Sequence, residues 1–117
     1  MFSFYHAFRG IATIFRSEIN FVIQSVIALL VLAAGILLGI TPTEWIIILL
    51  LIGMVLGAEA FNTAIERLCD AIDDQPSPKI RFIKDASAAA VLILSLSAAV
   101  IGILIFWKYL AALLLNS

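Results

Sequence analysis

Charge is the scarcest ingredient of this sequence. Asp, Glu, Lys and Arg make up 13% of its 117 residues, against roughly 25% in a soluble domain. Hydrophobic residues make up 64%. Small domains bury the smallest fraction of their surface, so a soluble chain of this length cannot hide that much apolar side chain. The lipid bilayer is its natural solvent. A net charge of −1 removes bulk electrostatics as a reason for a nucleic-acid partner, and none is expected. The single cysteine, Cys69, excludes an internal disulfide framework and fits a reducing or lipid surrounding. With His6 as the one histidine beside that one thiol, a zinc site or a Cys–His nucleophile has too few ligands. Phosphate-binding and nucleophile motifs are missing too: there is no GxxxxGK[ST] loop, no glycine-rich kinase loop and no GxSxG elbow. A cleaved signal peptide is not expected, because the first long apolar run begins near residue 21 and lacks a small-residue cleavage site.

What is present is three apolar runs, 21–38, 45–68 and 86–107. Each approaches or exceeds the roughly 20 residues that cross about 30 Å of hydrocarbon. All three are expected to be transmembrane helices of a single all-α domain, 1–117. Gly39 suits a helix C-terminus, and Thr41-Pro42-Thr43-Glu44 offers a capping Thr, a proline at the first helical position and a Glu three residues after the cap. The second break, 73–79, reads DDQPSPK and is polar throughout. Arg9, Arg16, Arg67, Lys79, Arg81 and Lys84 fall on one side of a three-span arrangement, and only Lys108 falls on the other. The positive-inside rule then places the N-terminus and the 69–85 loop in the cytoplasm.

Residues 1–17 precede the first span. On a helical wheel Phe4, Phe8, Ile11 and Phe15 share one side, with Arg9 and Arg16 well away from it. This pattern predicts an amphipathic helix lying in the membrane interface, aromatics in lipid and arginines toward headgroups or a ligand.

The second span raises the functional question. WIIILLLIGMVL, residues 45–56, carries no charge, yet Glu59, Asn62 and Glu66 follow before the apolar character has run out. Fourteen residues from Trp45 rise about 21 Å, which puts Glu59 inside the inner leaflet, and Glu66 lies about 10 Å further on. Asn62, Thr63, Glu66, Asp70 and Asp73 all fall within about 60° of Glu59 on the wheel. A charge at mid-membrane costs roughly 2.5–3.5 kcal/mol on insertion scales, so such residues usually face a bundle interior and mark a functional path. The bland alternative is a neutral Glu59 tying helices together and a Glu66 that is merely solvated. For Asp70, Asp73 and Asp74 a solvated face is the simpler expectation.

The opposite side of this helix carries Gly53-x-x-x-Gly57, a close-approach motif. In the third span Ala88, Ser95, Ala99 and Gly102 form a loose band of small residues on the side of Asp85. Three short helices enclose little volume, so a homo-oligomer is expected to complete any site. Glu18 sits where the interfacial helix meets the first span, and Lys84-Asp85 opens the third. Carboxylate oxygens suit Mg²⁺, which takes one or two carboxylates plus phosphate oxygens. Lysine supplies a point charge for phosphate. That inventory serves phosphoryl transfer to a hydroxyl. The chief rival is a small proton-coupled exporter with a membrane-embedded glutamate; such proteins usually have four spans, and one carboxylate would suffice for them. A non-enzymatic subunit of a membrane complex explains the small-residue faces but not the polar stripe.

Two stretches, EAFNTAIERLCD at 59–70 and FIKDASAAAV at 82–91, fit the pattern E-x-x-N-[ST]-A-I-E-x-x-x-D followed by K-D-x-x-[AGS]-A-x-V. In these the chain resembles the prokaryotic diacylglycerol kinase family, which includes the undecaprenol kinases. HAFRGI at 6–11 and EINF at 18–21 match its surface helix and first span, so the resemblance covers essentially the whole chain. It implies a homotrimeric integral-membrane kinase that moves the γ-phosphate of Mg-ATP to a lipid hydroxyl, diacylglycerol or undecaprenol, at sites shared between subunits. By motif, Glu59 is implied as general base with Asn62 positioning the substrate, Glu18 and Glu66 as Mg²⁺ ligands, and Lys84 and Asp85 as nucleotide contacts. Arg9, His6 and Ser77 are further nucleotide candidates. The sequence departs from the family at His6, where some members have tyrosine, at Val22, where many have arginine, and in the DDQPSP loop.

Overall fold

A computed structural model describes residues 3–75 and 77–116. Met1, Phe2, Pro76 and Ser117 lie outside them, and with them the first two residues of the expected interfacial helix and one proline of the expected second break. Four helices follow one another: α1 (Phe4–Ser17), α2 (Ile19–Leu38), α3 (Pro42–Ile72) and α4 (Pro78–Leu115). No strand occurs among the described residues. Three of the helices, α2, α3 and α4, are long and apolar enough to cross a membrane.

Local chemistry sets the ends. Gly39 closes α2 with φ 66°, a left-handed conformation that costs glycine nothing. The Thr41 hydroxyl accepts the Glu44 N–H at 3.2 Å, and the Glu44 carboxylate accepts the Thr41 N–H at 2.9 Å, a complete capping box with Pro42 just inside it. Ser77 starts α4 in a similar way, its Oγ accepting the Ile80 N–H at 3.2 Å ahead of Pro78. These caps start α3 at residue 42 and α4 at residue 78, ahead of the apolar runs at 45 and 86. At 38 residues, α4 is about 57 Å long.

α3 lies antiparallel to α4 along its whole length. Glu44 meets Lys108 and Tyr109, Ile48 clusters with Ile105, Asn62 meets Ser87, and Asp70 meets Lys84. The apolar core sits at the Glu44 end, where Ile40, Ile48 and Ile105 pack with Trp45, Phe106 and Tyr109. Gly35 lets α2 approach there: a Cβ on it would stand 2.8 Å from the Trp45 ring. At the other end the Phe15 and Phe21 rings meet edge to face, 4.9 Å apart, across the α1–α2 elbow.

The core is thin. Among the described residues no side chain is fully enclosed, and large apolar residues such as Leu37, Phe61, Leu68 and Ile103 are mostly exposed. Exposure of that extent is stable in lipid rather than in water. Gly53 and Gly57 have open space where a Cβ would stand, so the expected close approach is not made within the chain. Ser95, Ala99 and Gly102 instead line an apolar cavity of about 460 Å³ between α2, α3 and α4, bounded also by Val31, Val55 and Phe106.

Candidate active site

The Glu59 side of α3 faces its neighbours. Glu59 is 8% exposed and Thr63 equally buried, an arrangement that a three- and four-residue spacing imposes on one helix face. The Thr63 hydroxyl donates to the Glu59 backbone carbonyl at 3.1 Å, bonding back one turn. Among the described residues nothing donates a hydrogen bond to the Glu59 carboxylate. The negative charges of Glu18 and Glu66 bear on it from nearby. Glu18, where α2 begins, and Glu66, where α3 nears its end, are thus near enough for their charge to be felt at Glu59.

Asn62 lies one turn along, and its Oδ1 accepts the Ser87 hydroxyl of α4 at 2.8 Å. That bond orients the amide, leaving its NH₂ donors for another acceptor. Glu18 caps neither helix with its side chain; its Oε1 accepts from Arg67 Nη2 at 2.9 Å. Lys84 pairs with Asp70 across the α3–α4 interface at 2.6 Å. One of its three donors is used in this way and two remain. The nearby counter-charge of Asp70 also holds the flexible lysine stem in one place.

Asp85 is exposed beside Lys84 and lines two clefts at the start of α4. One, about 330 Å³, lies between the end of α3 and α4 and is lined by Asp70, Asp73, Ser77, Arg81 and Lys84 as well. The other, about 680 Å³, runs along the outer side of α4 past Ser77, Arg81 and Phe82. Ser77 lines both, though its hydroxyl is engaged as the α4 cap. His6 and Arg9 are exposed on α1, His6 edge-on to Tyr5, and no ion pair joins Arg9 to the stripe among the described residues.

The structure therefore brings Glu18, Glu59, Asn62, Glu66, Lys84 and Asp85 to one end of the helices, and leaves His6 and Arg9 on the surface helix. Arg67, Asp70 and Ser87 are partners that the sequence reading did not assign. Asp70 and Ser87 are visible only once the α3–α4 register is known. In the sequence Arg67 reads only as one of the positive charges on the inner side.

A second polar cluster occupies the far end. Glu44 accepts from Tyr109 and pairs with Lys108 while completing its capping box. Every partner of Glu44 is internal and the cluster lies about 22 Å along α3 from Glu59, so it ties α3 to α4 and has no part in the stripe.

Three membrane-length helices with carboxylates, an amide and a lysine toward one end form an arrangement suited to a membrane-embedded phosphotransferase, a lipid kinase. Residues 5–106 match the family described as prokaryotic diacylglycerol kinase. A relative from Bacillus subtilis (strain 168), an undecaprenol kinase, is 43% identical over 104 residues, covering 89% of this chain and 85% of its own length. The chain belongs to the prokaryotic diacylglycerol kinase family.

Proposed function

We propose that the protein phosphorylates a lipid alcohol with Mg-ATP at the cytoplasmic side of the bacterial inner membrane, with undecaprenol as the acceptor. The observation that carries this reading is Glu59: a residue only 8% exposed whose carboxylate takes no hydrogen-bond donor among the described residues, on one helix face with Asn62 and Glu66. A side chain held that way is free to accept the hydroxyl proton of a lipid. The alcohol oxygen then bonds to the γ-phosphorus as the bond to the β–γ bridging oxygen breaks. ADP leaves and the proton rests on Glu59. Asn62, oriented by Ser87, offers its NH₂ group to the acceptor.

Depth supports the pairing of substrates. A lipid hydroxyl lies just under the headgroups, at about the level of Glu59, and the apolar cavity beside Val55 and Leu56 starts one turn away. ATP arrives from water, where Lys84 and Asp85 open onto clefts. Glu18 and Glu66 fit a Mg²⁺ that arrives with phosphate oxygens. No group of three or more metal-ligating side chains converges among the described residues, and Mg²⁺ commonly uses one or two carboxylates with phosphate completing its shell. When bound, the ion neutralises phosphate charge.

The exposed aromatic side chains of α1, among them Phe4, Tyr5 and Phe8, support an interfacial helix, and the bias of Lys and Arg toward that end of the helices supports a cytoplasmic N-terminus. The extensive apolar exposure and the open Gly53–Gly57 face support the homotrimer, with sites shared between subunits. Undecaprenol is favoured because the Bacillus relative is an undecaprenol kinase. Purified protein in nanodiscs with Mg-ATP tests the reading, with undecaprenol and diacylglycerol as parallel acceptors. Faster phosphorylation of undecaprenol is expected. Preference for diacylglycerol would overturn the acceptor assignment, and no transfer to either would overturn the kinase reading.

A further inference from the structure

Glu18 is a misfit where it stands. It occupies the N-cap of α2 with an extended backbone, φ −123° and ψ 105°, and its side chain makes no capping hydrogen bond. The N–H groups and positive end of a helix attract a carboxylate at that position. The carboxylate turns away instead, to a residue 49 positions later, where Arg67 Nη2 donates to Oε1 at 2.9 Å. A like charge lies nearby as well: Glu18 and Glu59 are close enough for the charge of one to bear on the other. Without an opposing cation, Glu18 would be drawn to its own helix terminus or driven out into water. The contact uses one carboxylate oxygen and one guanidinium nitrogen, so Glu18 Oε2 keeps its lone pairs for another ligand.

We propose that Arg67 is a positioning residue for nucleotide binding: it holds Glu18 across the α2–α3 gap, facing Glu59 and Glu66, ready for the metal-bound phosphates. The inference rests on the kinase reading above. The family pattern leaves position 67 open, so the role belongs to this chain's own charges. Both partners are partly exposed, the side chains 58% and 28%. Pairs of that kind are weak, which sets the expected effect at about two- to fivefold in affinity.

The test compares full-length wild type, Arg67→Gln and Arg67→Lys in nanodiscs. Three quantities are read: Mg²⁺-dependent binding of a fluorescent ATP analogue without acceptor lipid, the steady-state constants, and the thermal unfolding midpoint. Arg67→Gln is expected to weaken analogue binding and raise KM for Mg-ATP by about two- to fivefold. Its kcat should stay within about twofold and its midpoint should not move. Arg67→Lys should recover binding, since a single nitrogen makes the contact. Unchanged binding in Arg67→Gln overturns the inference. So does tighter binding, which would make Arg67 a competitor for Glu18, and so does joint loss of kcat and midpoint, which would make it a packing residue. Wild-type protein that binds no Mg-nucleotide would overturn the kinase reading and this inference with it.

Discussion

Replacing Glu59 with glutamine separates chemistry from architecture in this molecule. Glutamine keeps the length and branching of the side chain and removes only the basic oxygen. No described hydrogen bond is lost, because none reaches the Glu59 carboxylate, and the Thr63 hydroxyl bonds to the backbone carbonyl, which the substitution leaves alone. Removing one negative charge from beside Glu18 and Glu66 also relieves repulsion. The thermal midpoint should therefore hold or rise slightly. Turnover is another matter. A positioned general base contributes about 100- to 10,000-fold, equivalent to about 3–5 kcal/mol of barrier. Transfer of labelled phosphate from ATP to undecaprenol in nanodiscs measures that loss directly, and Mg-nucleotide binding should stay at the wild-type level. Activity within about tenfold of wild type would refute the base assignment. A loss that tracks a falling midpoint would show that Glu59 holds helices together.

Two substitutions at the far end should behave in the opposite way. Gly35→Ala puts a Cβ 2.8 Å from Trp45 Cη2 and 3.1 Å from Ile40 Cδ1, inside a cluster that cannot yield freely. A cost of about 1–3 kcal/mol is expected, visible as a lower unfolding midpoint with KM for Mg-ATP unchanged. Glu44→Gln removes the anion that Lys108, Tyr109 and the Thr41 N–H share. It should lower the midpoint and leave kcat within about twofold, because no partner of Glu44 belongs to the stripe. A specific loss of nucleotide affinity in either variant would show that the two ends are coupled.

The local chemistry of the chain was legible before its structure, and the long-range pairings were not. The capping box at Thr41–Glu44 and the left-handed Gly39 depend on residues within one turn, so sequence order determines them. The apolar runs mark where lipid would be, but α4 extends eight residues on either side of its run. Its start follows Ser77 and Pro78, and past Lys108 it continues to Leu115. Gly53 and Gly57 show the reverse case: a close-approach pattern with no partner in its own chain. Ion pairs such as Arg67–Glu18 and Lys84–Asp70 depend on how helices are set against one another, which no periodicity encodes.

That placement also sorts the acids that a helical wheel cannot tell apart. Glu59, Glu66, Asp70 and Asp73 share a face of α3, and periodicity alone makes them equivalent. In the structure Asp70 is taken by Lys84, and Asp73 accepts the Gln75 N–H at 2.9 Å as the chain turns away. Glu59 and Glu66 have no donor among the described residues. Proton acceptance and metal ligation both require lone pairs that the fold has not already used. The two acids of this face with no described partner are the two to which the resemblance gives the base and metal roles, while Asp70, also part of the family pattern, has one oxygen taken by Lys84. Asp70 is the instructive member, since it holds the lysine that is proposed to meet the nucleotide.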